Sequence, residues 1–350
     1  MRRAAPLMTA ALLAAAGATA RADEPVRHVS PSGGHVLVLR AGEGGTTVFE
    51  LARGPHEGGD AAVLAKGTLE GRYEVAVVLD GEAAAILFDE TTRGGEAAVR
   101  LDAAETGGKV RWRVAVKTLF AGTDFPMRLG RPHWRRATWV DEEGGHVVVV
   151  AVGGLVRRID LATGDAGSGT AELVLEGLAL PRARAEALEA VDECAGTLAA
   201  AAVPAVAALA GGKDVDGRLR RRAAEVLAKL PSEDVVAAVF KRMKDADAAA
   251  AGALLHAAVA TGASDLMALM RHREPELLKA LDKRTGPLEW LADYFRTHPT
   301  SEAVRPLQAA LAKNPRHPTL APKLMGALRT CTGIDLGEDV QAWLRYRHPG

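Results

Sequence analysis

Asp216-Gly217-Arg218-Leu219-Arg220-Arg221-Arg222-Ala223-Ala224-Glu225-Val226-Leu227-Ala228-Lys229-Leu230 decides how the second half of this chain is read. Leu219, Ala223, Val226, Leu227 and Leu230 recur at helical spacing and form one apolar face. Arg218, Arg221 and Arg222 fall on the opposite side, toward water. Asp216 supplies an N-cap, and Leu230-Pro231 ends the helix. So short a helix cannot bury its stripe alone, and the sequence on either side supplies more of the same kind.

The spacing predicts a helix from Pro181-Arg182 to Ala202 and another over Val203–Ala210. Further helices are expected at Asp234–Lys244, Asp247–Ala260, Asp265–His272, Pro275–Lys283, Pro287–Thr297, Glu302–Lys313, Leu320–Thr330 and Glu338–Arg347. Stop signals at Leu230-Pro231, Thr261-Gly262, His298-Pro299 and Thr332-Gly333 recur every 31–37 residues or so, the period of a two-helix repeat. The order Asp216, Arg220-Arg221, Ala223-Ala224, Leu227 resembles the second helix of a HEAT repeat, which implies a solenoid with a concave binding surface. Trp290, Tyr294 and Phe295 form the richest aromatic cluster of this half. At the end, Leu328 to Leu344, with Thr332-Gly333-Ile334-Asp335-Leu336-Gly337 followed by Ala342-Trp343, is similar to the closing segment of secreted bacterial HEAT-repeat proteins. There Trp343 is expected to cap the last open apolar edge.

Before about residue 178 the period is two. Strands are expected at His35–Arg40, Thr46–Leu51, Ala61–Leu69, Tyr73–Leu79, Ala84–Phe88, Ala97–Leu101, Val110–Leu119, Ala137–Val140, His146–Val152 and Leu155–Leu161. Gly144-Gly145 and Gly153-Gly154 suit hairpins that need positive φ. Ser30-Pro31-Ser32-Gly33-Gly34 with the apolar strand after it resembles the opening of a WD-type propeller blade. Ile159-Asp160-Leu161-Ala162-Thr163-Gly164 resembles a blade's closing strand. Some 150 residues hold three such blades at about 40–45 residues each. Blade-like hairpins in an open or sandwich-like domain are therefore expected rather than a closed propeller.

Lys plus Arg and Asp plus Glu both number 44, so charge gives no pointer to nucleic acid or an anionic membrane. Arg2-Arg3, the apolar run Ala4–Ala16 and the small residues at Ala18–Ala22 read as an export signal cut near Ala20 or Ala22. The run is too short to span a bilayer. Cys194 and Cys331 sit near opposite ends of the helical half, and free thiols are expected.

No metal-binding, nucleophile-elbow or phosphate-loop motif is found, and no cofactor is expected. Asp214-Val215-Asp216-Gly217 lacks the remaining ligands of a calcium loop, and His56-Glu57 reads as a solvated turn. Arg131, His133, Trp134, Arg135 and Arg136, with Trp139, form the one polar-aromatic stretch suited to an anion or glycan. Arg218, Arg221 and Arg222 are the second candidate, a basic row for an acidic partner.

The expected architecture is multidomain α and β: an export signal over 1–22, an antiparallel β domain over 23–177, and an α-solenoid of HEAT-like helical pairs over 178–350. The expected function is a non-enzymatic protein-interaction scaffold of the bacterial periplasm or envelope, with a protein partner and no membrane span after cleavage. The competing expectation is a ligand- or glycan-binding sensor, or an enzyme, with its pocket in the β domain.

Overall fold

A computed structural model describes residues 25–30, 32–54, 62–80, 82–89, 96–104, 107–123, 125, 127–128, 131–132 and 134–347. The expected export signal, the His56-Glu57 turn and His133 lie outside the described residues. The chain divides into two compact units, one ending at Leu173 and one beginning at Val174.

The first unit holds three four-stranded antiparallel sheets in strictly sequential order. They are β1–β4 (Val26–Val29, His35–Ala41, Thr46–Arg53, Val63–Glu70), β5–β8 (Tyr73–Val78, Ala84–Asp89, Glu96–Ala104, Gly107–Ala115) and β11–β14 (Arg135–Asp141, His146–Ala151, Val156–Asp160, Ala166–Ser168). Between the second and third sheets come the helical turn α1 (Val116–Leu119) and the small hairpin β9–β10 (Met127–Arg128, Arg131–Pro132). The expected strand Val110–Leu119 thus ends at Ala115. Val116, Leu119 and Phe120 are buried at i, i+3 and i+4, a helical spacing that the alternating pattern does not fit.

The second sheet is covered on both faces. Ala85, Leu87, Val99 and Leu101 pack against Leu37, Leu39, Phe49 and Leu51 of the first sheet. Ile86, Phe88, Trp112 and Val114 pack against Val147, Val149 and Ile159 of the third and against Trp134, which precedes it. This explains the unbroken apolar run Ala84–Phe88, since alternate residues of a strand point to opposite faces and here both faces are core. Each buried Val, Leu, Ile or Phe here contributes about 1.5–3 kcal/mol by leaving water, and each Ala less. Phe49 fits because Gly67 and Gly108 have no side chain: a Cβ on Gly108 would stand 2.6 Å from the Phe49 ring.

The first hairpin turns of the three sheets are chained together. Ser32 N donates to Asp80 Oδ1 at 2.8 Å, and Asp80 N donates to the Glu142 carboxylate at 3.3 Å. Gly145, Gly153 and Gly154 take positive φ as expected, but Gly144 does not. Gly144 is needed for space, because a Cβ there would lie 2.4 Å from Asp141 Oδ2.

The second unit is helical: α2 (Glu172–Ala179), α3 (Arg184–Glu193), α4 (Ala195–Ala210), α5 (Gly217–Leu227), α6 (Ser232–Met243), α7 (Ala248–Ala260), α8 (Leu266–Met270), α9 (Glu274–Lys283), α10 (Leu288–Thr297), α11 (Val304–Lys313), α12 (Leu320–Thr332) and α13 (Val340–Arg345). α2 was not expected: it lies wholly before Pro181, where the first helix was placed, and Val174, Gly177 and Leu178 are buried along it. The expected helix to Ala202 is broken at Cys194, and α4 then runs through Pro204 after a departure from helical geometry at Ala199.

Neighbours in sequence pack together (α3 on α4, α4 on α5, α6 on α7, α11 on α12), and so do alternate helices: α3, α5, α7, α9, α11 and α13 in one succession, α4, α6 and α8 in another, with α10 on α12. Ala223, Val226, Leu227 and Leu230 of the opening stretch are buried, and Asp216 Oδ1 accepts from the backbone N–H of Arg218 and Leu219. Trp343 is fully buried, and its indole N–H donates to Gly337 O at 3.0 Å. Cys194 and Cys331 are free thiols. Among the described residues no helix is long and apolar enough to cross a membrane.

Gly252 lies where α7 meets the turn after α9: a Cβ there would stand 2.2 Å from Thr285 O. Gly252→Ala is expected to lower the stability of the helical unit by about 1–3 kcal/mol, read as a fall in the urea midpoint by circular dichroism at 222 nm.

Candidate functional site

The polar-aromatic stretch turns mostly inward. Trp134 is 1% exposed and its ring centroid lies 5.9 Å from that of Phe120. Trp139 is 4% exposed. Neither indole presents a face on which a sugar can stack. Arg135 and Arg136 are half-buried at the start of β11, and Arg131 is placed by its backbone in β10. Beside Trp134, the Arg157 guanidinium lies over the Phe120 ring at 5.5 Å and donates to Leu119 O at 2.7 Å, holding α1 against β13.

Sequence reasoning gave Arg100 no role. It is 2% exposed, donates to Asp102 Oδ1 and Leu161 O at 2.7 Å each, and also bonds the Glu82 carboxylate. Trp112 Nε1 donates to the same Leu161 carbonyl. Removing a guanidinium from water costs several kcal/mol, and two carboxylates with a carbonyl offset it. Arg100 thereby ties the second sheet to the residue that follows β13. Its location gave no local signal, because its partners lie up to 61 residues away.

The basic row of α5 divides in two. Arg218 and Arg221 are exposed. Arg222 is not free as expected but is committed to the neighbouring helix: it meets Glu189 at 2.6 and 2.9 Å, Asp192 at 3.0 Å and Glu225 at 3.2 Å. Lys229 reaches Asp192 at 2.6 Å. Burial pushes the Asp192 carboxyl up, but Lys229 and Arg222 outweigh it and hold it below the usual carboxylate range. The cluster joins α3 to α5. Arg220 instead donates to Gly212 O, Lys213 O and Val215 O, bracing the turn before α5.

On α10, Trp290, Tyr294 and His298 stack at i, i+4 and i+8 with centroids 5.6 and 4.8 Å apart. Tyr294 is fully buried and its hydroxyl has no hydrogen-bond partner among the described residues. Burial pushes its pKa up to about 12, with Glu274 adding and Arg271 opposing.

Two open grooves of about 410 Å³ each lie on the β unit. One runs over Val38, Arg40, Val48 and Lys66, the other over His146, Arg158, Asp160 and Asp165. In the second, the Asp160 carboxylate is occupied by the Ala162 and Thr163 backbone N–H groups and the Thr163 hydroxyl. Among the described residues no group of three His, Cys, Asp or Glu side chains is arranged to hold a metal. No protein-family model matches the chain, and no curated protein matches it either.

Arg222→Ala takes one cation away from Glu189, Asp192 and Glu225, and is expected to lower stability at pH 7 by about 1–3 kcal/mol after allowance for partial exposure. Asp192 has a depressed folded pKa, so its share of stability is present above the unfolded value and lost as pH falls through the folded one. The difference between wild type and variant in urea midpoint should therefore shrink below about pH 4. Tyr294→Phe removes an unpaired buried hydroxyl and keeps the ring stack. It is expected to leave stability unchanged or raise it by up to about 1 kcal/mol, measured by thermal unfolding.

Proposed function

We propose that this chain is a non-enzymatic protein-interaction scaffold of the bacterial periplasm or cell envelope, binding through the surface of its helical unit. In this reading the unit is an α-solenoid of HEAT-like helical pairs, and the three β sheets are blade-like meanders. The observation that carries it is the alternate packing of helices: α3, α5, α7, α9, α11 and α13 follow one another as neighbours. Such succession makes one layer of a two-layer array, whose outward side is an extended surface rather than a pocket. Arg221 of α5, Lys279 of α9 and Arg305 of α11 are exposed along it. The envelope location is supported by the sequence of residues 1–22. The alternative, a sugar- or ligand-binding pocket at Trp134, draws no support from an indole packed in the core.

A photo-crosslinking residue placed singly at Arg221, Lys279 and Arg305 of the full chain tests this in living cells. The expected result is an adduct with the same protein from at least two positions, identified by mass spectrometry. Absence of any protein adduct, there and at the exposed even-layer positions Ala237 and Arg296, would remove the scaffold reading.

A further inference from the structure

The turn between α4 and α5 gathers cations from three elements. Lys213 lies in the turn itself, and Arg218 and Arg221 lie on the first turns of α5. Arg242, near the end of α6, has its Cβ 3.7 Å from where a Cβ of Gly211 would stand. All four are exposed, and none makes a salt bridge among the described residues. Arg220 adds a fifth positive charge, its guanidinium spent on the three carbonyls of the turn. Two carboxylates stand among them. Asp214 is exposed, while Asp216 is occupied by the α5 backbone N–H groups, and these hold its carboxyl below the usual range. Charge here is therefore in excess by about three.

The arrangement costs the isolated helix something. Residues three and four apart on a helix are about 5–6 Å apart at Cβ, and like charges at that spacing repel. Arg218 faces Arg221 and Arg222 in this way. Only Arg222 is relieved, by Glu189, Asp192 and Glu225. The same helix thus neutralises one arginine against α3, leaves Arg221 without a salt bridge among the described residues, and gives Arg218 only the nearby Asp216 carboxylate, which the backbone N–H groups already occupy. Guanidinium groups in such a row suit forked hydrogen bonds to carboxylates.

We infer that this corner of the helical array docks an acidic peptide segment of a protein partner, with Arg218 and Arg221 pairing its carboxylates and Lys213 and Arg242 flanking them. The inference rests on the scaffold reading and names the chemistry of its partner.

The test uses the full chain and a fluorescent ten-residue glutamate peptide, with a glutamine peptide of equal length as control. At about 50 mM salt the wild type is expected to bind the acidic peptide only, and to lose it as salt screens the charges. Arg218→Glu/Arg221→Glu should weaken binding by about tenfold or more. Lys313→Glu/Arg316→Glu, exposed at and just after the end of α11, makes the same change in net charge and should alter it by less than about threefold. Both variants should keep the wild-type circular dichroism, since the replaced side chains are exposed. Equal loss in the two variants, or no binding of the acidic peptide, overturns the inference. So does binding of phosphatidylglycerol vesicles, but not the peptide, through Arg218 and Arg221, which would assign the patch to a membrane. If crosslinks from Lys279 and Arg305 persist in Arg218→Glu/Arg221→Glu, the scaffold reading survives while this site does not.

Discussion

Neither a single short amphipathic helix nor a single four-stranded meander can bury its apolar face alone, and that constraint shapes both units. In the first, the middle sheet satisfies it twice, with Leu87 and Leu101 on one side and Ile86 and Phe88 on the other. In the second, α5 buries Ala223, Val226 and Leu227 while packing on α3, α4 and α7. Burial of this kind is non-directional, so it explains cohesion but not register.

Register comes from polar groups placed at the joints. Arg100 reaches the carbonyl of Leu161 from the second sheet to the third. Ser32, Asp80 and Glu142 link the three first turns. Arg222 grips Glu189 through two of its nitrogens, a forked geometry that a lysine cannot reproduce. Small residues do the complementary work. Gly108 leaves room for Phe49, and Gly252 lets the Thr285 carbonyl approach α7. The interfaces are thus specified by a few charged clamps and a few missing methyl groups around a generic apolar filling.

The sequence read well where local pattern and tertiary need coincide. Ten expected strands correspond to β2–β8 and β11–β13, because turn residues bracket each run and alternation continues inside it. β1 and β14 were missed: Val26-Arg27-His28-Val29 is too short and does not alternate, and Ala166-Gly167-Ser168 has almost no apolar content to read. α2 was missed because Leu173, Val174 and Leu175 look like strand when taken three at a time. The helices after Asp216 were legible to within a few residues through caps, Pro and Gly. The candidate site was legible only in part. Exposure of Arg218 and Arg221 follows from their place opposite the stripe, whereas the pairing of Arg222 depends on residues 30 and 33 positions away. The burial of Trp134 and the role of Arg100 likewise rest on contacts between sheets, which no local pattern encodes.

The sequential strand order has a kinetic consequence. Every ladder in the three sheets joins a strand to the next one in the chain, and no crossover is present among them. Pairings of such short sequence separation carry a small loop-closure cost, unlike the Greek-key connections that slow many β folds. Each meander can close as soon as its fourth strand exists, and the next can then condense on it. The ladders of each meander can therefore form by local hairpin closure, without a search for a strand distant in sequence.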